Sequence, residues 1–138
     1  MVDKRLRRRT PVRLKQIRGV AEEIGNWLEG EVDLTGFLEQ AHYQETDLIL
    51  VDRTPLAMRI EIRGKMGWFP TLRGISAWNV ERSWVAVDGG AIPFLRNGAD
   101  CMGAGIHIAD PSLGEGDFVW IRDQETGEPI ATGTAIVD

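Results

Sequence analysis

Residues 85–106 read VAVDGGAIPFLRNGADCMGAGI, and this stretch decides the fold. Val85 and Val87 are β-branched and alternate with Ala86, which predicts a half-buried strand. Asp88, Gly89 and Gly90 then supply a turn and a helix start, and Ala91, Ile92, Phe94 and Leu95 make a two-turn apolar face. Asn97 and Gly98 stand where a helix ends on a left-handed residue, the conformation glycine takes without strain. A loop with bare main chain opens there. Taken alone, Asn97 and Gly98 favour a helix cap over a place for a ligand to approach the backbone.

Working outward on the N-terminal side, Thr10 followed by Pro11 predicts a helix start, a capping hydroxyl before a proline whose missing N–H costs nothing. The helix is expected to run to about Leu28, with Leu14, Ile17, Ala21, Ile24 and Leu28 on one face at steps of three and four. Its basic residues come before its acidic pair, Glu22 and Glu23, opposite to what the helix dipole prefers. Before it, Met1 to Arg9 is expected to form an edge strand. Phe37 to Tyr43, Asp47 to Val51 and Leu56 to Ile62 read as three strands, with turns at Asp52–Pro55 and Arg63–Gly67, and Trp68 and Phe69 begin another. Leu72 to Arg82 reads as a linker packed against both halves. On the other side, Gly114–Asp117 predicts a turn into a strand at Phe118–Ile121, and Gly127 a hairpin whose return strand is Pro129–Val137 with a bulge or close approach at Gly133.

Composition bounds the function. The chain has 138 residues, 15.4 kDa and 43% hydrophobic residues, ordinary values for a soluble globular protein. No apolar run approaches the ~20 residues of a membrane span, and no signal-peptide pattern is visible, so a cytoplasmic protein is expected. The single Cys101 has no internal disulfide partner and reads as a buried, inert thiol. Charge is segregated: residues 1–18 hold eight basic side chains against Asp3 alone, whereas residues 80–138 hold three arginines and ten carboxylates. A basic start on an acidic body suits an oriented encounter with a polyanion; the other reading is a solvated basic helix pairing with the protein's own acidic surface.

Catalytic signatures are missing. His42 and His107 lie in no metal-ligand spacing, there is no phosphate-binding GxxxxGKS/T loop and no GxSxG elbow, and GAGIHI at Gly103 lacks the third glycine of a dinucleotide fingerprint. Glu22 with Glu23, and Asp123 with Glu125, read as solvating groups without the burial that tunes a catalytic carboxylate. A non-catalytic protein without cofactor or metal is expected. Trp68, Phe69, Trp78 and Trp84 either stack on RNA bases, at ~1–3 kcal/mol per base, or pack in a hydrophobic seam between two halves.

Val87, Asp88, Gly90, Ala91, Leu95, Gly98, Ala99, Asp100, Met102, Gly105 and Ile106 fit the pattern VDxGAxxxLxxGADxMxPGI. On these residues the chain resembles the PUA domain, an RNA-binding β-barrel module. Ala104 stands where the family often has proline, and Gly103 where a larger residue is common. Trp68, Phe69, Pro70, Thr71 and Leu72 resemble the segment that precedes the PUA domain in the malignant T-cell-amplified protein family and its archaeal-type relatives. The resemblance implies an α+β fold. A pre-PUA domain over 1–79, one long helix on a small antiparallel sheet, precedes a PUA-like β pseudo-barrel over 80–138 that lacks the family's final helix and strand.

By the same resemblance, RNA lies along the glycine loop, which places binding roles on Arg96, Asn97, Gly98, Ala99 and Asp100. The basic start adds Lys4, Arg5, Arg7, Arg8, Arg9 and Arg13 as phosphate contacts. The implied function is RNA binding in translation, on small-subunit rRNA or the tRNA acceptor end, with the small ribosomal subunit or a translation factor as partner and no membrane. Two alternatives stay open: an RNA-binding accessory subunit of a tRNA or rRNA modification enzyme, and a protein interaction module without RNA affinity.

Overall fold

The computed structural model describes residues 6–88 and 106–135, which fall into two compact units, Met1–Val80 and Glu81–Asp138. The helix expected from Gly90 to Leu95, the loop Arg96–Asp100 and Cys101 lie outside the described residues, as do Lys4 and Arg5.

The N-terminal unit is a five-stranded antiparallel meander of β1 (Arg7–Pro11), β2 (Leu38–Tyr43), β3 (Thr46–Val51), β4 (Thr54–Ile62) and β5 (Lys65–Pro70), paired in chain order. Two-residue reversals join the last four strands, and these set the register. Asp52 and Arg53 at one turn have φ of 48° and 71°, and Arg63 and Gly64 at the next have 55° and 78°. Two successive left-handed residues match the right-handed twist of the flanking strands, which is why such turns dominate tight hairpins. The turns are shorter than the sequence suggests, since Thr54 and Pro55 already belong to β4 and Gly67 lies inside β5.

The strand signal overrides the expected helix start. Thr10 pairs with Gln40 and Pro11 with Glu39, so both belong to β1. Proline is tolerated there because β1 is an edge strand. The helical segment opens instead at Arg13, whose N–H donates to Gln16 Oε1 (2.8 Å) while its carbonyl accepts from Gln16 N–H (2.8 Å). A 3-10 turn (Leu14–Ile17) leads into α1 (Arg18–Leu28). The helical periodicity holds from Ile17 onward: Ile17, Ile24 and Ala21 pack on Leu38, Ile49 and Ala57 of one sheet face. Leu14 does not join them and stays 46% exposed, because it lies in the 3-10 turn, where the period is three.

The segment read as a linker contains a second helix, α2 (Leu72–Ala77). Thr71 caps it, its hydroxyl accepting from Gly74 N–H (3.1 Å) and donating to the Pro55 carbonyl (2.7 Å). Ile75 is then buried at 2% exposure and Trp78 donates from Nε1 to the Asp33 carbonyl (3.1 Å). α2 approaches β4 so closely that a Cβ on Gly74 would stand 2.1 Å from the Leu56 carbonyl oxygen.

In the second unit β6 (Trp84–Val87), β7 (Ile106–Ala109), β8 (Phe118–Asp123) and β9 (Pro129–Thr134) form one sheet in the order β7-β6-β8-β9. β6 runs parallel to β8 and the other pairs are antiparallel. Val85 and Val87 pack with Val119 and Ile121, while Ala86 is 1% exposed, so β6 is buried on both faces rather than on one. The irregularity of β9 falls opposite Ile121–Arg122, not at Gly133, which pairs in register with Val119 and has open space about its α-carbon. Asp110 ties β6 to the loop after β7, accepting from Ser83 N–H (2.6 Å), Ser112 N–H (3.0 Å) and Ser112 Oγ (2.8 Å). Burial works to raise its pKa; these hydrogen bonds and the charge of Arg82 outweigh that and hold it below the usual carboxylate value.

Gly74→Ala forces backbone apart at the α2–β4 contact, and a loss of about 2 kcal/mol or more is expected by analogy with overpacked cores. Urea unfolding of the variant, read by tryptophan fluorescence, measures it.

Candidate nucleic-acid interface

Residues 6–18 contain six cations (Arg7, Arg8, Arg9, Arg13, Lys15 and Arg18) and no acid, and each of these side chains is exposed. The fold divides them by means of a bulge in β1. Arg7 pairs with His42 and Thr10 with Gln40, so Arg8 and Arg9 together oppose Ala41 alone, and Arg8 adopts a left-handed φ of 53°. An extra residue on one strand reverses the faces beyond it. Arg7 and Arg9, which a regular strand would place side by side, therefore lie on opposite faces.

Arg9 falls on the face away from α1, beside Glu39. Its Nε donates to Oε2 (2.6 Å) and its second guanidinium nitrogen to Oε1 (2.9 Å), a bidentate pair. Glu39 is only 6% exposed, in line with Ala41 and with Leu48 and Leu50 of β3 nearby. The Arg9 hydrogen bond holds the carboxyl below its ordinary pKa against the opposing effect of burial, and Glu39 in turn raises the pKa of Arg9. Of the basic residues expected to touch phosphate, Arg9 thus has its fork engaged within the fold.

Arg7 falls on the α1 face, at the end of a row that crosses all five strands. His42 stands opposite it, Asp47 opposite His42, Arg59 opposite Asp47, and Trp68 opposite Arg59. His42 Nδ1 lies 3.0 Å from Asp47 Oδ1, and Arg59 lies 4.0 Å from Asp47 Oδ2. Sequence reading missed this row. His42, Asp47 and Arg59 are distant in sequence, and only the hairpin registers align them. Arg13 heads the 3-10 turn with its main chain engaged and its side chain exposed.

Glu23 is not a solvating group: its carboxylate accepts from the Trp68 N–H on edge strand β5. Trp68 and Trp78 pack within the core beneath α1, and Phe69 meets Trp27 edge-on at 5.8 Å. Trp84 is half-buried beneath Arg122, whose guanidinium carbon lies 3.7 Å from the ring centroid, a cation–π contact. Among the described residues no three His, Cys, Asp or Glu side chains come together in a way that could hold a metal ion, and no helix is long and apolar enough to cross a membrane.

The second unit is the part that a known family describes. The PUA domain family model matches residues 83–138. An uncharacterized protein of Methanocaldococcus jannaschii is 31% identical over 136 residues, an alignment spanning 96% of this chain and 82% of that protein. The chain belongs to this family of PUA-domain proteins, and PUA domains are in general RNA-binding modules. Solved structures agree with the fold. A conserved PUA domain protein from Thermoplasma acidophilum superposes with a TM-score of 0.77 at 25% identity, covering 94% of this chain and 81% of that one. A hypothetical protein from Pyrococcus horikoshii gives 0.74 at 27% identity, covering 94% and 83%. A PUA domain from Aeropyrum pernix, solved as a tartrate complex, gives 0.73 at 27% identity, covering 97% and 74%.

Glu39→Gln removes the charge that anchors Arg9 and is expected to lower the melting temperature at neutral pH. A carboxyl with a depressed folded pKa contributes stability above its unfolded pKa of about 4.3 and loses it as pH falls through the folded value. The gap in melting temperature between wild type and Glu39→Gln should therefore close as pH is lowered from 6 towards 3, as thermal melts across that range will read.

Proposed function

We propose that this protein binds RNA in translation, docking on small-subunit rRNA or the tRNA acceptor end. Capture falls to the basic edge, and selection to the loop Arg96–Asp100. The observation that carries this reading is the bulged edge strand with its following turn, where Arg7, Arg8, Arg13, Lys15 and Arg18 stand exposed on a chain that is otherwise acidic. Phosphate contacts of this kind set register and orientation without reading bases. A shape-reading loop then supplies preference for a single-stranded end or bulge, the usual target of RNA recognition.

Bulges are common where a sheet must redirect a side chain at a functional site. Here the redirection separates Arg7, aligned with Arg59 across the sheet, from Arg9, which holds Glu39. The arrangement gives three roles to three adjacent arginines: Arg9 secures the edge, Arg8 forms the bulge, and Arg7 extends the row of His42, Asp47 and Arg59. The acidic second unit favours a second reading, in which that unit meets a basic protein and only the N-terminal unit meets RNA.

The test is a titration of tRNA and a small-subunit rRNA fragment at several salt concentrations, using wild type and Arg7→Gln/Arg8→Gln/Arg13→Gln. Loss of three phosphate contacts should flatten the slope of log affinity against log salt by about 2, at roughly 0.7 per contact on single strands. An unchanged slope with unchanged affinity sinks the basic-edge mechanism.

A further inference from the structure

We infer that a pocket beside the β3–β4 turn binds the phosphate of a nucleotide, with the attached ribose or base against its apolar wall. The pocket measures about 440 Å³ and is lined by Arg53, Thr54, Pro55, Thr71, Leu72 and Arg73. That volume lies within the ~300–1,000 Å³ typical of small-molecule sites. Its lining combines two guanidiniums, two threonines and the apolar surfaces of Pro55 and Leu72, with no carboxylate. Guanidiniums suit such a ligand, pairing bidentately with phosphate and offering a flat face to a base.

Among the described residues neither pocket arginine is held in an ion pair. Asp52, next in sequence to Arg53, turns its Oδ1 to the N–H of Phe37 (2.9 Å). Glu39 is near enough for Arg53 to influence its charge, but its two oxygens are held by the Arg9 fork. Both pocket arginines are exposed.

Arg53 is also an unfavourable choice for its position. It occupies the second place of a two-residue reversal with φ of 71°, where glycine or asparagine is the residue without strain. The Thr71 hydroxyl, bonded to the Pro55 carbonyl and to Gly74 N–H, ties the α2 wall to the β4 wall, so the pocket is preformed.

The inference rests on the RNA-binding reading for one source of the phosphate, an RNA chain; the other source is a free nucleotide. The test uses the full chain with AMP as probe and adenosine as the control without phosphate, followed by amide chemical shifts, with tRNA affinity measured in parallel. AMP is expected to shift the amides of Arg53, Thr54 and Thr71–Arg73 saturably, and adenosine to bind at least tenfold more weakly. Arg53→Gln/Arg73→Gln should weaken AMP at least tenfold while the melting temperature stays within a few degrees. Arg53→Gly should raise the melting temperature and still weaken AMP, a combination that a purely structural role for Arg53 does not produce.

Unshifted pocket amides, equal binding of adenosine, or wild-type AMP affinity in the double variant overturns the inference. If AMP binds there and the double variant also loses tRNA affinity several-fold, the source is RNA. If AMP binds and tRNA affinity is unchanged in the double variant, the pocket stands with a free nucleotide as its ligand. If wild type binds AMP in the pocket and no RNA at all, the RNA reading fails and the pocket does not.

Discussion

Glu39 lies on a strand between apolar neighbours with 6% of its surface in water, and a carboxylate so placed needs a cation. Arg9 supplies it through both oxygens, and that pairing governs the basic edge. With Arg9 committed to the face away from α1, regular alternation would carry Arg7 to the same side. The bulge at Arg8 prevents this and restores Arg7 to the α1 face, in line with His42, Asp47 and Arg59. One half-buried ion pair thus orders three arginines that look interchangeable in the sequence.

Tight reversals carry the same logic through the rest of the N-terminal unit. Three hairpins with two-residue loops, together with one register shift between β3 and β4 at Ile49–Leu50, bring residues far apart in sequence into rows across the sheet. The apolar rows meet α1, and a polar row lies beside them. α2 is held by a different device, the absence of a side chain at Gly74 together with the Thr71 hydroxyl bridging to Pro55. This leaves the Arg53–Arg73 pocket beside a rigid corner rather than in a loop.

Most strands were legible because they announce themselves locally. Leu48, Ile49 and Leu50 are apolar and bounded by turn residues, Val85 and Val87 alternate, and Phe118–Ile121 is rich in aromatic and β-branched residues. Helix boundaries were less so. Thr10–Pro11 carries a helix-start signal, yet pairing with Gln40 and Glu39 satisfies more backbone than a first helical turn does, and the strand wins. α2 was hidden in a stretch that reads as a linker, since its Leu72–Ile75 spacing is too brief to show a period and its cap depends on a hydroxyl already bridging to β4.

By itself the sequence determined the class of protein, since the VDGGA…NGAD segment specifies the PUA family, and it showed the clustering of basic residues over residues 4–18. Local chemistry suffices for both, because a glycine pattern and a charge run are properties of neighbours in the chain. Only the tertiary structure decided on which face of the sheet each of these arginines falls. The fate of Arg9 depends on Glu39 thirty residues away, and that of Arg7 on a bulge whose effect is to exchange sheet faces. The Arg53–Arg73 pocket likewise exists only because α2 returns to β4. Charge can be counted along a chain, but whether a charge is spent inside the fold is decided by what packing brings against it.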